Sequence, residues 1–262
     1  AGIFFSNFIL EIHHFPERIG FFYEYFLKKA GLIVVITSYL KKELIGAGIP
    51  ENKIIVLPDS VDLSEFDKDI SKEEARKKLD LPMDKKIVVY TGSFSIYNWK
   101  GLDVLLEAAK QFTNDYLFVC VGAHNDKEMG QLKKQYPFNN ILLKYYVPHQ
   151  SVFWYLKAAD VLVIPNKASD KISELHTSPL KLFEYMASRR PIVSSNLPSL
   201  CEVLTKQEAL FFEAGNPEDL AGAIKEIFQN QGLAEKLSYN AYKKDQDYTW
   251  SKRPEKIINA IK

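Results

Sequence analysis

The chain has 262 residues, 47% of them apolar and 26% charged, which is an ordinary globular composition with ample material for a core. Its 34 Lys and Arg against 33 Asp and Glu leave a formal charge of +1, so nothing electrostatic recommends nucleic acid as a partner. The two cysteines, Cys120 and Cys201, give neither a metal-ligand spacing nor a disulfide framework, and the apolar runs GLIVVI and YLFVCVG fall far short of the ~20 residues of a membrane helix.

In chain order, short β-branched and apolar runs predict strands at 8–13, 32–37, 53–57, 87–91, 116–121, 140–143, 161–165, 191–194 and 209–212. Amphipathic patterns predict helices near 15–29, 38–47, 72–79, 101–110, 126–135, 149–158, 179–188, 217–229 and 231–244. Strands that are apolar throughout, without alternation, are expected to be buried on both faces, as in a parallel sheet between helix layers. Strand–helix order repeated this often argues for doubly wound α/β domains. The opening AGIFFSNFIL has no basic leader and reads as a strand entered partway through a longer protein, not as a signal peptide. A seam follows at Pro58-Asp59-Ser60-Val61-Asp62, a turn after a strand, and Ser71-Lys72-Glu73-Glu74 then opens a new helix as a capping pattern. Residues 1–57 hold about two βα units, whereas 68–245 make a complete domain. Trp250, Ile257, Ile258 and Ile261 are spaced for one last helix.

Three stretches carry candidate chemistry. In His176-Thr-Ser-Pro-Leu-Lys-Leu-Phe-Glu184, Ser178 is expected to cap a helix with Pro179 in its first position, leaving first-turn amides and the helix dipole to face an anion. Lys181 falls in that turn, and Glu184 lies five residues past Pro179, about 7.5 Å along the axis, close to the reach from a nucleotide's phosphates to its ribose diol. Spacing alone equally fits a capped surface helix with one solvated Glu. The loop from Thr91 through Gly92 and Ser93 to Lys100 and Gly101 links a buried strand to a helix, at the sheet end where ligands of such folds collect, but it has neither GxGxxG nor GxxxxGK[ST]. Lys100 there fits a phosphate partner or a plain solvated lysine. His13, in Glu11-Ile-His-His-Phe-Pro16, stands at a strand exit where an imidazole can donate a hydrogen bond or shuttle a proton. His124 and His149 read as surface residues, and the triplets ending at Asp69 and Asp247 as solvated polar residues with no metal role.

With these motifs in place, the sequence resembles the retaining glycosyltransferases of GT-B architecture, family 4 or group 1. The resemblance runs along practically the whole chain, through EIHHF, IVLPDSVDLSEF, YTGSFSIYNWKGLDVLLEAA, AADVLVIP, SPLKLFEYMASRRPIVSSNLPSLCEVL and YTWSKRPEKI. It implies an α/β fold of two Rossmann-like, doubly wound parallel-sheet domains, the N-terminal one incomplete. Residues 1–60 would be a remnant of the acceptor-side domain, 61–245 the nucleotide-sugar donor-binding domain, and 246–262 a helix crossing back to the first. By the same resemblance Glu184 would hold the donor ribose, Ser178, Pro179 and Leu180 would form the turn whose backbone amides meet its phosphates, and Lys100, after Gly92, would neutralise the diphosphate. His13 would face the transferred sugar, and Tyr146 and Val147 the nucleobase. Ser93, His176 and Lys181 complete the implied donor site, with His13, Lys100 and Glu184 as the catalytic set.

The chain departs from the family pattern in three places: His176 stands where the first acid of E-x7-E belongs, Ser93 where an arginine often follows the glycine, and Arg189 where a glycine normally ends the helix. The function implied is metal-independent, cofactor-free transfer of a hexose, with retention, from a UDP- or GDP-type sugar to an acceptor hydroxyl. A carbohydrate or lipid-linked acceptor of the cell-surface polysaccharide or glycolipid kind is expected. So are a cytoplasmic setting, peripheral membrane contact and no nucleic acid. The alternative is a non-catalytic nucleotide-sugar-binding or assembly subunit, with His176 and Ser93 as signs of a degenerate site. An NAD-dependent sugar-modifying enzyme lacks its glycine fingerprint here.

Overall fold

The computed structural model describes residues 8–14, 16, 20–94 and 98–261. The first three strands, β1 (Ile9–Ile12), β2 (Leu32–Val35) and β3 (Ile54–Val56), pair in parallel in that order, with α1 (Phe21–Lys29) and α2 (Ser38–Gly46) between them. The predicted helix at 15–29 is described only from Gly20 onward, apart from Pro16, and begins after Gly20; most of its earlier part lies outside the described residues. Two short helices, α3 (Leu63–Phe66) and α4 (Lys72–Lys78), follow the seam, and Ser71 caps α4 by accepting a hydrogen bond from the Glu74 amide at 3.1 Å.

From there β4 (Lys86–Thr91), α5 (Leu102–Ala109), β5 (Tyr116–Ala123), α6 (Asp126–Gln135), β6 (Ile141–Tyr145), α7 (His149–Ala158), β7 (Val161–Ile164), α8 (Leu180–Ala187), β8 (Ile192–Ser195), α9 (Pro198–Cys201), β9 (Leu210–Phe212), α10 (Pro217–Gln229) and α11 (Gln231–Asp245) alternate down the chain. Their strands form one parallel sheet in the order β6-β5-β4-β7-β8-β9. The order reverses beside β4, and ligands of open α/β sheets bind at the carboxyl strand ends near such a reversal.

The apolar strands have the physical consequence expected of them. Along β4, Ile87 and Val89 enter a core roofed by α7 and α8, while Val88 and Tyr90 enter another roofed by α5 and α10; along β5, Leu117 and Val119 part from Phe118 and Cys120 in the same way. Each such side chain withdrawn from water contributes on the order of 1.5–3 kcal/mol. The smaller sheet packs Ile33 and Val35 against Leu27, Leu40 and Leu44, and its other face, Leu32 and Val34, against Leu57 and Ile257 of α12 (Lys252–Ile261). α12 is also pinned by Arg253, whose guanidinium donates to Glu11 at 2.6 Å and to the carbonyls of Leu57 and Pro58. No helix among the described residues is long and apolar enough to cross a membrane.

Two sequence expectations need correction. Ser178 does not cap α8: Pro179 occupies the cap position, and the Ser178 hydroxyl instead accepts the Asp59 amide at 2.9 Å, tying the seam to the second sheet. Asp245 is not solvated. It is completely buried on α11, its oxygens meet no partner among the described residues, and burial pushes its pKa up to about 8. Arg189 takes the left-handed conformation that its glycine-like position demands, with φ 59°, a strain of about 1 kcal/mol. Its guanidinium lies 3.9 Å from the Tyr242 ring centre and 2.9 Å from Asp67, contacts that offset the strain.

Candidate active site

Between the two sheets, at the carboxyl ends of β4, β5 and β7, lies a cleft of about 680 Å³. The smaller sheet contributes His13 and Asp59 to one wall, and the larger sheet contributes the floor and the other wall. All twelve residues expected in the donor site, from His13 to Glu184, line this cleft.

The floor is made of backbone that could not carry side chains. Gly92 (φ 145°) ends β4 and Gly122 (φ 143°) falls near the end of β5, both in a region L-residues avoid. A Cβ on Gly122 would stand 2.0 Å from the Gly92 carbonyl, and one on Gly92 3.0 Å from the Tyr90 hydroxyl. Beside them the amides of Leu180 and Lys181 open α8 without an acceptor among the described residues. The other helix start behaves differently. Gly101 (φ 71°) is packed so tightly that a Cβ would meet the Pro165 carbonyl at 1.7 Å, and none of residues 101–104 lines the cleft. That turn contributes Trp99 and the half-buried Lys100, whose pKa burial lowers. The start of α8 thus brings its amides to the site, and the start of α5 does not.

Lys181 is the most telling residue in the cleft. Its ammonium nitrogen is shut away from solvent without a hydrogen-bond acceptor among the described residues, 4.3 Å above the Tyr90 ring. Burial, then repulsion from Lys100, brings its pKa down to about 7, against a smaller opposing pull from Glu184. A buried ammonium without an anion is costly, so this arrangement favours a negatively charged ligand. One turn on, Glu184 is only 8% exposed, and burial raises its pKa while a 2.7 Å hydrogen bond from His149 holds it down. His149 lies on α7, edge-on to Phe66 and 3.6 Å from Glu65. It is exposed, as expected from the sequence, and it also bridges two carboxylates.

His124 also proves to belong here. Its Nε2 lies 2.9 Å from the Ser93 hydroxyl, and its ring stacks on Tyr146 at 5.8 Å, making with Val147 a flat wall for a planar group. Asn166, after β7, lines the cleft with a fully buried amide that meets no partner among the described residues. His176 is buried on a single π-turn (Ile172–His176), its Nε2 3.1 Å from a Glu43 oxygen of α2 without hydrogen-bond geometry, and neither ring nitrogen has a hydrogen-bond partner among the described residues; burial lowers its pKa. The ring therefore has a protein carboxylate close on one side, competing with any sugar hydroxyl there. Opposite, His13 makes a 2.8 Å contact with Glu11, itself held by Arg253, so α12 positions the histidine through one intermediary. Buried Asp59 sits nearby, its pKa raised by burial against the pull of His13 and Arg253.

Sequence reasoning had no signal for His149, His124 or Asn166. The two histidines acquire meaning only from a neighbour brought up by the fold, 35 positions away for His149 and Glu184, 31 for His124 and Ser93, and Asn166 only from the cleft it lines. For Gly122 there was a faint one, a glycine closing an apolar strand.

Residues 71–244 match the family described as Glycosyl transferases group 1. The chain is 29% identical over 170 residues to TuaC of Bacillus subtilis, a glycosyltransferase provisionally named for teichuronic acid biosynthesis, a match covering 64% of this chain and 40% of TuaC. It is 26% identical over 165 residues to the lipopolysaccharide core biosynthesis glycosyltransferase LpsD of Rhizobium meliloti, covering 63% and 45%. Among solved structures, Anabaena HepE in complex with UDP superposes with a TM-score of 0.80 at 15% identity, over 97% of this chain and 71% of that one. The chain thus spans about half the length of the curated relatives it matches. The two parallel sheets and these neighbours make the fold GT-B, and the family match over most of its length places the chain among the group 1 glycosyltransferases.

Proposed function

We propose that the protein moves a hexose from a nucleoside-diphosphate sugar to an acceptor hydroxyl with retention, and that residues 61–245 bind the donor while 1–60 and the crossing helix at 246–262 form the acceptor-side wall. The observation that carries this reading is the buried ammonium of Lys181, without an acceptor among the described residues, beside the open amides of α8. Together with Lys100 they make a positive socket for the two phosphates. Negative charge grows on the departing diphosphate, and donors already in position lower that barrier without reorganising. Glu184, hydrogen-bonded by His149, accepts the ribose diol; the Tyr146–His124 stack receives the base; Asn166 and His176 meet the sugar hydroxyls; His13, set by Glu11, faces the transferred ring. HepE was solved with UDP and with UDP-glucose, and TuaC and LpsD are named for surface polymers; these favour a UDP-sugar and a polysaccharide or glycolipid acceptor.

Binding without transfer is the second reading, and the engagement of His176 by Glu43 favours it. A melting-temperature panel of UDP-, GDP- and ADP-sugars tests the first step, since a ligand at about 100 times its Kd adds about 2.7 kcal/mol. One member should stabilise the wild type and fail to stabilise Glu184→Ala; an equal shift in both would remove Glu184 from the donor site. Release of the free nucleotide in the presence of acceptor then separates transfer from binding alone.

A further inference from the structure

A second cavity of about 440 Å³ lies at the other ends of α7 and α8 and shares no lining residue with the cleft. Four cations, Lys68, Lys157, Arg189 and Arg190, and two carboxylates, Asp67 and Asp69, line it. Asp67 is already spent, on Arg189 at 2.9 Å and on the Tyr242 hydroxyl at 2.5 Å. The positive charge is therefore in excess and close together. The ammonium groups of Lys68 and Lys157 stand 5.3 and 5.7 Å from the centre of the same ring, Phe153, and the Arg190 guanidinium donates to the Lys157 carbonyl at 2.7 Å.

Lys157 is the unusual member. The residue is 4% exposed and its ammonium makes no hydrogen bond or ion pair with any described residue, while the Nε–H of Arg190 is buried without an acceptor among them. A mostly buried lysine crowded against two guanidinium groups gains little in stability there, and an apolar side chain in its place would remove that repulsion. Burial, then the charge of Arg190, brings the Lys157 pKa down to about 8, against smaller pulls from Asp67 and Asp69.

We propose that this cavity is a binding site for a phosphate-type oxyanion, taken up by Lys157 with Lys68, Arg189 and Arg190 supplying the surrounding charge. A dianion would neutralise the excess of two positive charges, and the volume admits a free phosphate or the phosphoryl group of a larger molecule. A divalent cation is the wrong sign for this lining. The inference is independent of the nucleotide-sugar reading, because its residues lie outside the cleft.

The test is a calorimetric titration of the full chain with inorganic phosphate and, separately, glycerol 3-phosphate. Lys157→Met should leave the unliganded protein at least as stable to heat as the wild type and weaken the anion about tenfold, the loss of one charge-assisted contact. Arg189→Gly, which also relieves a left-handed backbone, supplies a second variant with the same expected loss if Lys157→Met does not fold. Binding should persist in Lys100→Met, which alters only the cleft. Saturation by phosphate assigns a free anion, and saturation by glycerol 3-phosphate alone assigns a phosphoryl group on a larger molecule. The proposal is overturned if neither ligand binds, or if binding survives in the cavity variants and disappears in Lys100→Met.

Discussion

The two sheets of this molecule are held in different ways. The six-stranded sheet has a deep apolar core on each face, so its strand ends, and the floor of the cleft with them, are fixed by packing. The three-stranded sheet has one modest cluster and one small one, and it meets its larger neighbour through polar ties: Ser38 to Glu202 at 2.8–3.0 Å, Asp59 to Ser178, and Glu43 to His176 and Lys171. Interfaces of that polar kind open and close more readily than a continuous core. The difference teaches that the cleft has a rigid half, where Lys181 and Glu184 stand, and a hinged half that carries His13.

Breaking the rigid half should cost most. Phe183→Ala, at a fully buried ring of α8, should lose about 3–5 kcal/mol in urea unfolding, with the transition still spanning both sheets. Next comes pH. The Lys181 amine is shifted from 10.5 down to about 7, so between those values the unfolded chain holds a proton that the folded chain has released, and stability rises with pH across that window. The slope difference between wild type and Lys181→Met should approach, and not exceed, about 1.4 kcal/mol per pH unit. Lys157 acts with the same sign above about pH 8, and Asp245 with the opposite sign below it, so only the difference between variants isolates Lys181. The smallest effect belongs to the hinged half. Arg253→Met, which frees half-exposed Glu11, should cost about 1–2 kcal/mol and speed amide exchange in β1 and β2 while leaving β4 and β5 unchanged. Equal exchange in both sheets would erase the distinction between them.

The same contrast governs what the sequence could tell. Strands covered on both faces must be apolar throughout, so runs such as KIVVYT and YLFVCVG announced themselves, and all nine predicted strands appear with ends moved by a residue or two. The four-residue helices α3 and α9 and the π-turn before α8 are too short to show a period, and none was foreseen. In the site, Gly92, Lys100, Lys181 and Glu184 could be read because a strand end or a helix start fixes their neighbourhood within a few residues. Ser178 misled for the opposite reason: the helix-cap rule is local, and a partner 119 positions away, the Asp59 amide, claims its hydroxyl.

The most direct test is the affinity of the protein for UDP, measured by calorimetry in wild type and in Lys181→Met. If the buried ammonium is waiting for the donor's phosphates, the variant should melt no lower than the wild type when empty and bind UDP at least about tenfold more weakly. A variant that binds UDP as tightly as the wild type would contradict the account.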